Sequence, residues 1–171
     1  SELQVAEKDE KKYSGQFVNS ALSLSKDNSS SAIIGGGDGG VARECLSKGF
    51  DIIDWYELDP EVVKVCQKHL PKICGEVKAN NNVKTYWGDA FESIKKVKDS
   101  KYDKIFVDLN DDQYCIDLAA KNMKGLKRIL KPGGVITAQV GCLSKKPRQV
   151  NNWLKVLSQN FGNSKLDEVF I

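Results

Sequence analysis

The chain has 171 residues, of which 40% are hydrophobic and 29% charged, with 26 basic against 23 acidic side chains. This is enough for one domain with one real core, and the composition is ordinary for a soluble globular protein. The net charge of +3 argues against a nucleic-acid partner, and no apolar run approaches the roughly 20 residues that a bilayer span needs.

In chain order, Leu3-Gln4-Val5-Ala6 reads as a short strand, and residues 9–21 as a helix with Tyr13, Phe17 and Val18 at helical spacing. A polar loop over 26–31 precedes strand one at 32–34, which runs into Gly35-Gly36-Gly37-Asp38-Gly39-Gly40 and a helix over 38–47. Strand two covers 51–56. The helix over 60–70 opens on Pro60, where a missing N–H costs little. Residues 72–82 read as a loop, 83–87 as strand three, 90–97 as a helix and 104–107 as strand four. The helix over 116–130 is closed by Lys131-Pro132-Gly133-Gly134, a stop signal, before strand five at 135–139. Residues 150–160 read as a last helix and 166–171 as the start of another strand.

Alternating strands and helices of this kind predict a mostly parallel α/β sheet with helices on both faces, in one domain spanning residues 1–171. Ligands of such sheets sit at the carboxyl ends of the strands, near the switch in strand order. Polar residues recur there: Asp38 after strand one, Glu57 after strand two, Asp89 after strand three, Asp108 after strand four and Gln139 after strand five. Asp38 is the most telling, because a carboxylate inside a glycine turn calls for a cationic ligand group rather than a phosphate. Glu57 falls about 20 residues beyond the glycines, where an acid takes ribose hydroxyls. Asp89, before Ala90, is both an N-cap and a candidate adenine contact. Asp108 is the best catalytic candidate, and Asp111 and Asp112 follow it in a turn. Together these residues point to an adenosyl-sulfonium site rather than a nicotinamide dinucleotide.

The five cysteines are scattered without a Cys-x-x-Cys, which reads as free thiols in a reducing compartment, the cytoplasm. His69, the single histidine, is expected on a helix surface. No cluster has metal-ligand spacing, so no metal is expected. The basic run Lys145-Lys146-Pro147-Arg148 reads as a solvated loop.

At these motifs the chain resembles the polyamine aminopropyltransferases, the spermidine and spermine synthases, over residues 3–170. Residues 4–13 look like the segment entering the catalytic domain, Ile33 to Gly40 like the glycine motif, and Glu57-Leu58-Asp59 like the ribose motif. Gly88-Asp89-Ala90 looks like the adenine motif and residues 102–108 like the catalytic strand. The resemblance implies a Rossmann-like fold of the S-adenosylmethionine-dependent methyltransferase type, with residues 1–8 ending an N-terminal β-sheet domain absent from this chain. It implies transfer of an aminopropyl group from decarboxylated S-adenosylmethionine, a co-substrate rather than a tightly bound cofactor, to putrescine or spermidine.

In that scheme Gln4, Gly35, Gly36, Gly37, Asp38, Glu57, Asp89 and Ala90 hold the nucleoside substrate, with Asp38 on its ammonium. Asp108 and Tyr13 are catalytic, and Asp111, Gln139 and Tyr13 hold the polyamine. Full-length members are homodimers by the same resemblance; oligomeric state and acceptor stay open here. This sequence departs from the family pattern at Ser14, where Gln or His is usual, and from Asp108 onward, where Asp-Ser-Ser-Asp-Pro is usual: Asp108-Leu109-Asn110-Asp111 keeps both acids but lacks the proline. Two alternatives remain: a catalytically impaired homologue acting as a binding or assembly subunit, and an S-adenosylmethionine-dependent methyltransferase.

Overall fold

The computed structural model describes residues 7–75, 77–110 and 112–162, with backbone alone for 7 and 8. Five strands, β1 (Ser30–Gly35), β2 (Ile52–Glu57), β3 (Val83–Trp87), β4 (Tyr102–Asp108) and β5 (Leu130–Ala138), form one sheet in the order β3-β2-β1-β4-β5. Every pairing is parallel. The helices are α1 (Glu7–Leu24), α2 (Gly40–Ser47), α3 (Pro60–His69), α4 (Pro71–Cys74), α5 (Ala90–Ile94), α6 (Gln113–Ile129) and α7 (Pro147–Phe161). The expected α/β architecture is therefore present. The expected strands at 3–6 and 166–171 lie outside the described residues.

Side chains of a strand alternate between faces, so neighbouring residues feed two cores. Ile33, Trp55 and Phe106 pack with Phe17 and Val18 of α1 and Val41 and Cys45 of α2. Ile34, Tyr56, Ile105 and Val107 pack with Ile94 of α5, Ile116 and Leu126 of α6 and Trp153 of α7. The spacing that marked Phe17 and Val18 as one helical face is borne out by their burial. His69 is exposed, as expected.

Strand order reverses between β1 and β4. The chain steps outward from β1 to β2 and β3, then returns to place β4 on the other side of β1. The carboxyl ends of β1 and β4 are thereby adjacent, with Gly35 opposite Asp108. This is the switch point where open α/β sheets bind ligands.

Element boundaries differ from the sequence reading for local reasons. Helix α2 starts at Gly40, not at 38, because Gly39 adopts a left-handed φ of 80° and Asp38 turns back to accept the Gly40 N–H at 2.8 Å. Helix α6 starts at Gln113, since Asp112 caps it by accepting the Cys115 N–H at 2.8 Å. The expected loop over 72–82 contains α4 and a 3-10 turn at Val77–Ala79. Lys131-Pro132-Gly133-Gly134 does follow the end of α6 but belongs to β5. Tyr102 pairs with Leu130 and Lys104 with Val135, so the proline and glycines bulge out of the ladder.

Phe106 lies fully buried between Phe17 (ring centroids 5.9 Å apart) and Phe50 (6.3 Å). Phe106→Ala is expected to cost about 3–5 kcal/mol, read as a drop in the urea midpoint with little change in slope.

Candidate functional site

The glycine turn is built by backbone contacts that a side chain would block. The Gly36 N–H donates to the Asp108 carbonyl at 2.9 Å, and the Gly39 N–H closes the turn on the Gly36 carbonyl at 2.9 Å. The Trp55 indole N–H holds the Gly35 carbonyl at 2.8 Å from the neighbouring strand. A Cβ on Gly35 would come within 2.4 Å of the Asp108 carbonyl oxygen, at a φ of +82° that favours glycine. The turn and the end of β4 are thus pressed together.

That closeness gathers the acids. A Cβ on Gly36 would meet Asp108 Oδ2 at 3.0 Å, and one on Gly37 would meet Glu57 Oε2 at 3.1 Å. Asp108 and Glu57 therefore flank the turn that carries Asp38. Burial, then the charge of Asp38, raises the Asp108 carboxyl to about 7, with Glu57 and Glu10 adding to the rise and the Tyr13 hydrogen bond opposing it. Burial also raises Asp38, against the Gly40 N–H that favours its anion, and Glu10 adds to the rise. Glu57 is raised by burial too, despite hydrogen bonds from the Asp59 and Leu58 N–H groups. Three carboxyls that hold protons beyond their ordinary range form a site short of positive charge, suited to a cation.

Tyr13 comes from α1 and donates its hydroxyl to Asp108 Oδ1 at 2.8 Å. Its ring stacks on Phe17 (5.6 Å, 14°), which fixes the direction of the hydroxyl. Burial and the Asp108 charge raise the Tyr13 phenol well above its usual value, so it stays a donor. Tyr13 engages only one oxygen of Asp108; Oδ2 faces the bare Cα of Gly36.

The remaining expected residues are placed as follows. Asp89 is exposed and caps α5, accepting the Phe91 N–H at 2.7 Å and the Glu92 N–H at 3.3 Å, with Ala90 half-buried as the first residue of that helix. The preceding Gly88 N–H donates to the Glu57 carbonyl at 2.9 Å, which ties this corner to the acid rim. The Gln139 N–H continues the β4–β5 ladder onto the Val107 carbonyl at 2.9 Å, and its buried Oε1 has no hydrogen-bond partner among the described residues. Gln4 and Asp111 lie outside the described residues. A cavity of about 460 Å³ opens elsewhere, on the α5 side of the sheet, lined by Tyr56, Tyr86 and lysines but by none of these acids.

Sequence reasoning missed Glu10 and Arg43, which pair beneath the turn. The available signal was slight: an acid one turn before Tyr13, and an arginine one turn into the helix after the glycines.

The family model for the spermine/spermidine synthase domain matches residues 10–171. The chain belongs to the spermine/spermidine synthase family. A polyamine aminopropyltransferase of Prochlorococcus marinus strain MIT 9215 is 36% identical over 171 residues, covering 96% of this chain and 59% of that protein. The counterpart from strain MIT 9312 is 37% identical over 148 residues, covering 85% and 51%. The chain thus spans little more than half the length of the family members it matches.

Two solved structures share the fold. A spermidine synthase crystallised with the transition-state analogue AdoDATO superimposes with a TM-score of 0.79 at 22% identity, over 92% of this chain and 52% of that one. The Thermotoga maritima spermidine synthase gives a TM-score of 0.83 at 22% identity, over 92% and 53%.

The raised carboxyls set the pH dependence of stability. Asp108 ionises near 3.9 when unfolded and near 7 when folded, so between these values the folded chain binds more protons. By linkage, stability falls as pH rises through that window. Asp108→Asn removes this loss. The variant is expected to match the parent near pH 4 and to exceed it by on the order of a few kcal/mol at pH 8, measured by urea denaturation at both pH values.

Proposed function

We propose that this chain is the catalytic domain of an aminopropyltransferase of polyamine biosynthesis. It moves the aminopropyl group of decarboxylated S-adenosylmethionine onto an amine of putrescine or spermidine and releases 5′-methylthioadenosine. The observation that carries this reading is the Tyr13–Asp108 hydrogen bond of 2.8 Å at the sheet's switch point, with Asp38 and Glu57 on the adjoining turn. The match of the family model and the names of the relatives support it.

Each group has a task in this scheme. Asp38 pairs with the ammonium at the end of the aminopropyl arm. Glu57 accepts from the ribose hydroxyls, and Asp89 and Ala90 border the adenine. Gly35, Gly36 and Gly37 admit the nucleoside close to the backbone, and Gln4 lines the aminopropyl end. Asp111 and Gln139 serve the polyamine; Gln139 Oε1, without a hydrogen-bond partner among the described residues, is an acceptor for an ammonium.

The acceptor amine arrives protonated, with a pKa of about 10, and attacks only as the free base. Asp108 Oδ2 takes its proton while Tyr13 holds Oδ1, and the amine nitrogen then bonds to the carbon beside sulfur. The carbon–sulfur bond breaks and its electron pair neutralises the sulfonium. Most of the remaining rate comes from holding nitrogen, carbon and sulfur in line.

An intact S-adenosylmethionine carboxylate would add a negative group where Asp38, Glu57 and Asp108 already resist ionisation. This disfavours methyl transfer. The five free cysteines are consistent with work in a reducing cytoplasm. Homodimerisation is part of the proposal for the longer family members.

Incubation with decarboxylated S-adenosylmethionine and putrescine or spermidine is expected to yield methylthioadenosine by chromatography. Binding without product marks an assembly subunit, and product from intact S-adenosylmethionine alone marks a methyltransferase. Asp108→Asn is expected to lower kcat by roughly 10²–10⁴-fold, with methylthioadenosine affinity by calorimetry held within about threefold. For the parent, kcat/KM is expected to rise with pH through about 7 as Asp108 ionises.

A further inference from the structure

Beneath the glycine turn lies a charged cluster that the proposed chemistry does not touch. Glu10, one turn before Tyr13 on α1, is 4% exposed. Its carboxylate accepts both arms of Arg43, at 2.8 Å and 3.1 Å, and the Ser14 hydroxyl at 2.5 Å. Arg43 is held in turn by Glu44 at 2.9 Å and by the Ile73 carbonyl at 3.0 Å. One guanidinium thus joins α1, α2 and α4.

Gly40 shows what this cluster demands of the chain. Its φ is not in the left-handed region, so its backbone does not require glycine. A Cβ there would lie 2.0 Å from Glu10 Oε1 and 2.6 Å from Ser14 Oγ. Glycine at 40 is therefore a seat for the Glu10 carboxylate. The N–H of the same residue holds Asp38. Glu10 is buried while the Arg43 side chain stays 22% exposed, and desolvation of the carboxylate offsets much of the pair's attraction.

We propose that Glu10 and Arg43 are positioning residues for the aminopropyl transfer: their bidentate pair, seated on Gly40, sets the height of α1 so that Tyr13 meets Asp108, and sets the background charge at that carboxyl. The proposal rests on the aminopropyltransferase reading. Tyr13 of α1 bonds to Asp108, and the carboxylates whose charge bears on it are Asp38 of the glycine turn, Glu57 of β2 and Glu10 of α1. Arg43 reaches this set through Glu10 and Asp38. Charge and geometry are separable, because one substitution alters each alone.

Glu10→Gln keeps the shape and removes one like charge. The Asp108 carboxyl, followed by 13C NMR in the 171-residue chain, is expected to titrate roughly half a pH unit lower. Arg43→Lys keeps the charge and loses the two-armed grip. It is expected to leave the Asp108 midpoint in place and to lower kcat by at least about tenfold, with methylthioadenosine affinity within about threefold. An unmoved midpoint in Glu10→Gln, or unchanged kcat in Arg43→Lys, overturns the proposal, as does a loss of melting temperature alone. If Glu10→Gln fails to fold, Glu10→Asp serves: it keeps the charge, so an unmoved midpoint with lowered kcat supports positioning and unchanged kcat overturns it. A parent chain that makes no methylthioadenosine defeats the functional reading instead, and the NMR titration still judges the pair.

Discussion

Two stretches of backbone meet without a side chain between them where the glycine turn passes the end of β4. The Gly36 N–H sits on the Asp108 carbonyl, and no Cβ fits at Gly35. This approach depends on β1 and β4 being neighbours in the sheet, which in turn depends on the reversal of strand order. The reactive end of the molecule follows from it. Asp108 loses water, its carboxylate comes under the influence of Asp38 and Glu57, and Tyr13 descends onto it from α1. A wider gap would leave Asp108 an ordinary surface acid.

The site opposes the stability of the fold that makes it. Packing carboxyls where each disfavours ionisation of the others costs free energy in the empty protein. The hydrophobic layers on either side of the sheet offset that cost. What the arrangement gains is readiness: three carboxyls are already gathered and already partly dry. Arg43 marks the limit of this strategy. It pairs with Glu10 and Glu44, one step removed from the glycine turn, and among the described residues no arginine forms a salt bridge with Asp38, Glu57 or Asp108, although the charge of Arg43 favours the Asp38 anion.

Much of this was legible in the sequence because the signals were local. Apolar runs gave the strands, Ile33 to Gly40 gave the turn, and an acid after each of the first four strands gave the rim. The order β3-β2-β1-β4-β5 brings Asp38, Glu57 and Asp108 together; alternation of strands and helices implies the parallel sheet but not that order. The Glu10–Arg43 pair was not legible. Its members lie 33 residues apart on two helices, and each resembles an ordinary solvent-facing charge. Gly40 reads in the sequence only as the last glycine of the motif, whereas the structure needs the space its missing Cβ leaves. Residues 131–134 do mark the end of α6, but their place as a bulge in β5 was not legible, because proline and glycine punctuate both kinds of element alike. Lys104, fully buried with its ammonium on the Asp27 carbonyl at 2.6 Å, follows the same lesson: its partner is 77 residues away.

The division of the interior into two layers, one under α1–α3 and one under α5–α7, has an evolutionary consequence. The aim of Tyr13 at Asp108 is set by helices of the first layer, whereas in the second layer the expected rim residues Asp89 and Ala90 sit at the start of α5, and α6 and α7 carry none. Substitutions that repack α6 and α7 among themselves can therefore accumulate without redirecting the reactive groups. Relatives should drift fastest on that side and stay alike on the other, so that the fold behaves as a fixed tool head on an exchangeable handle.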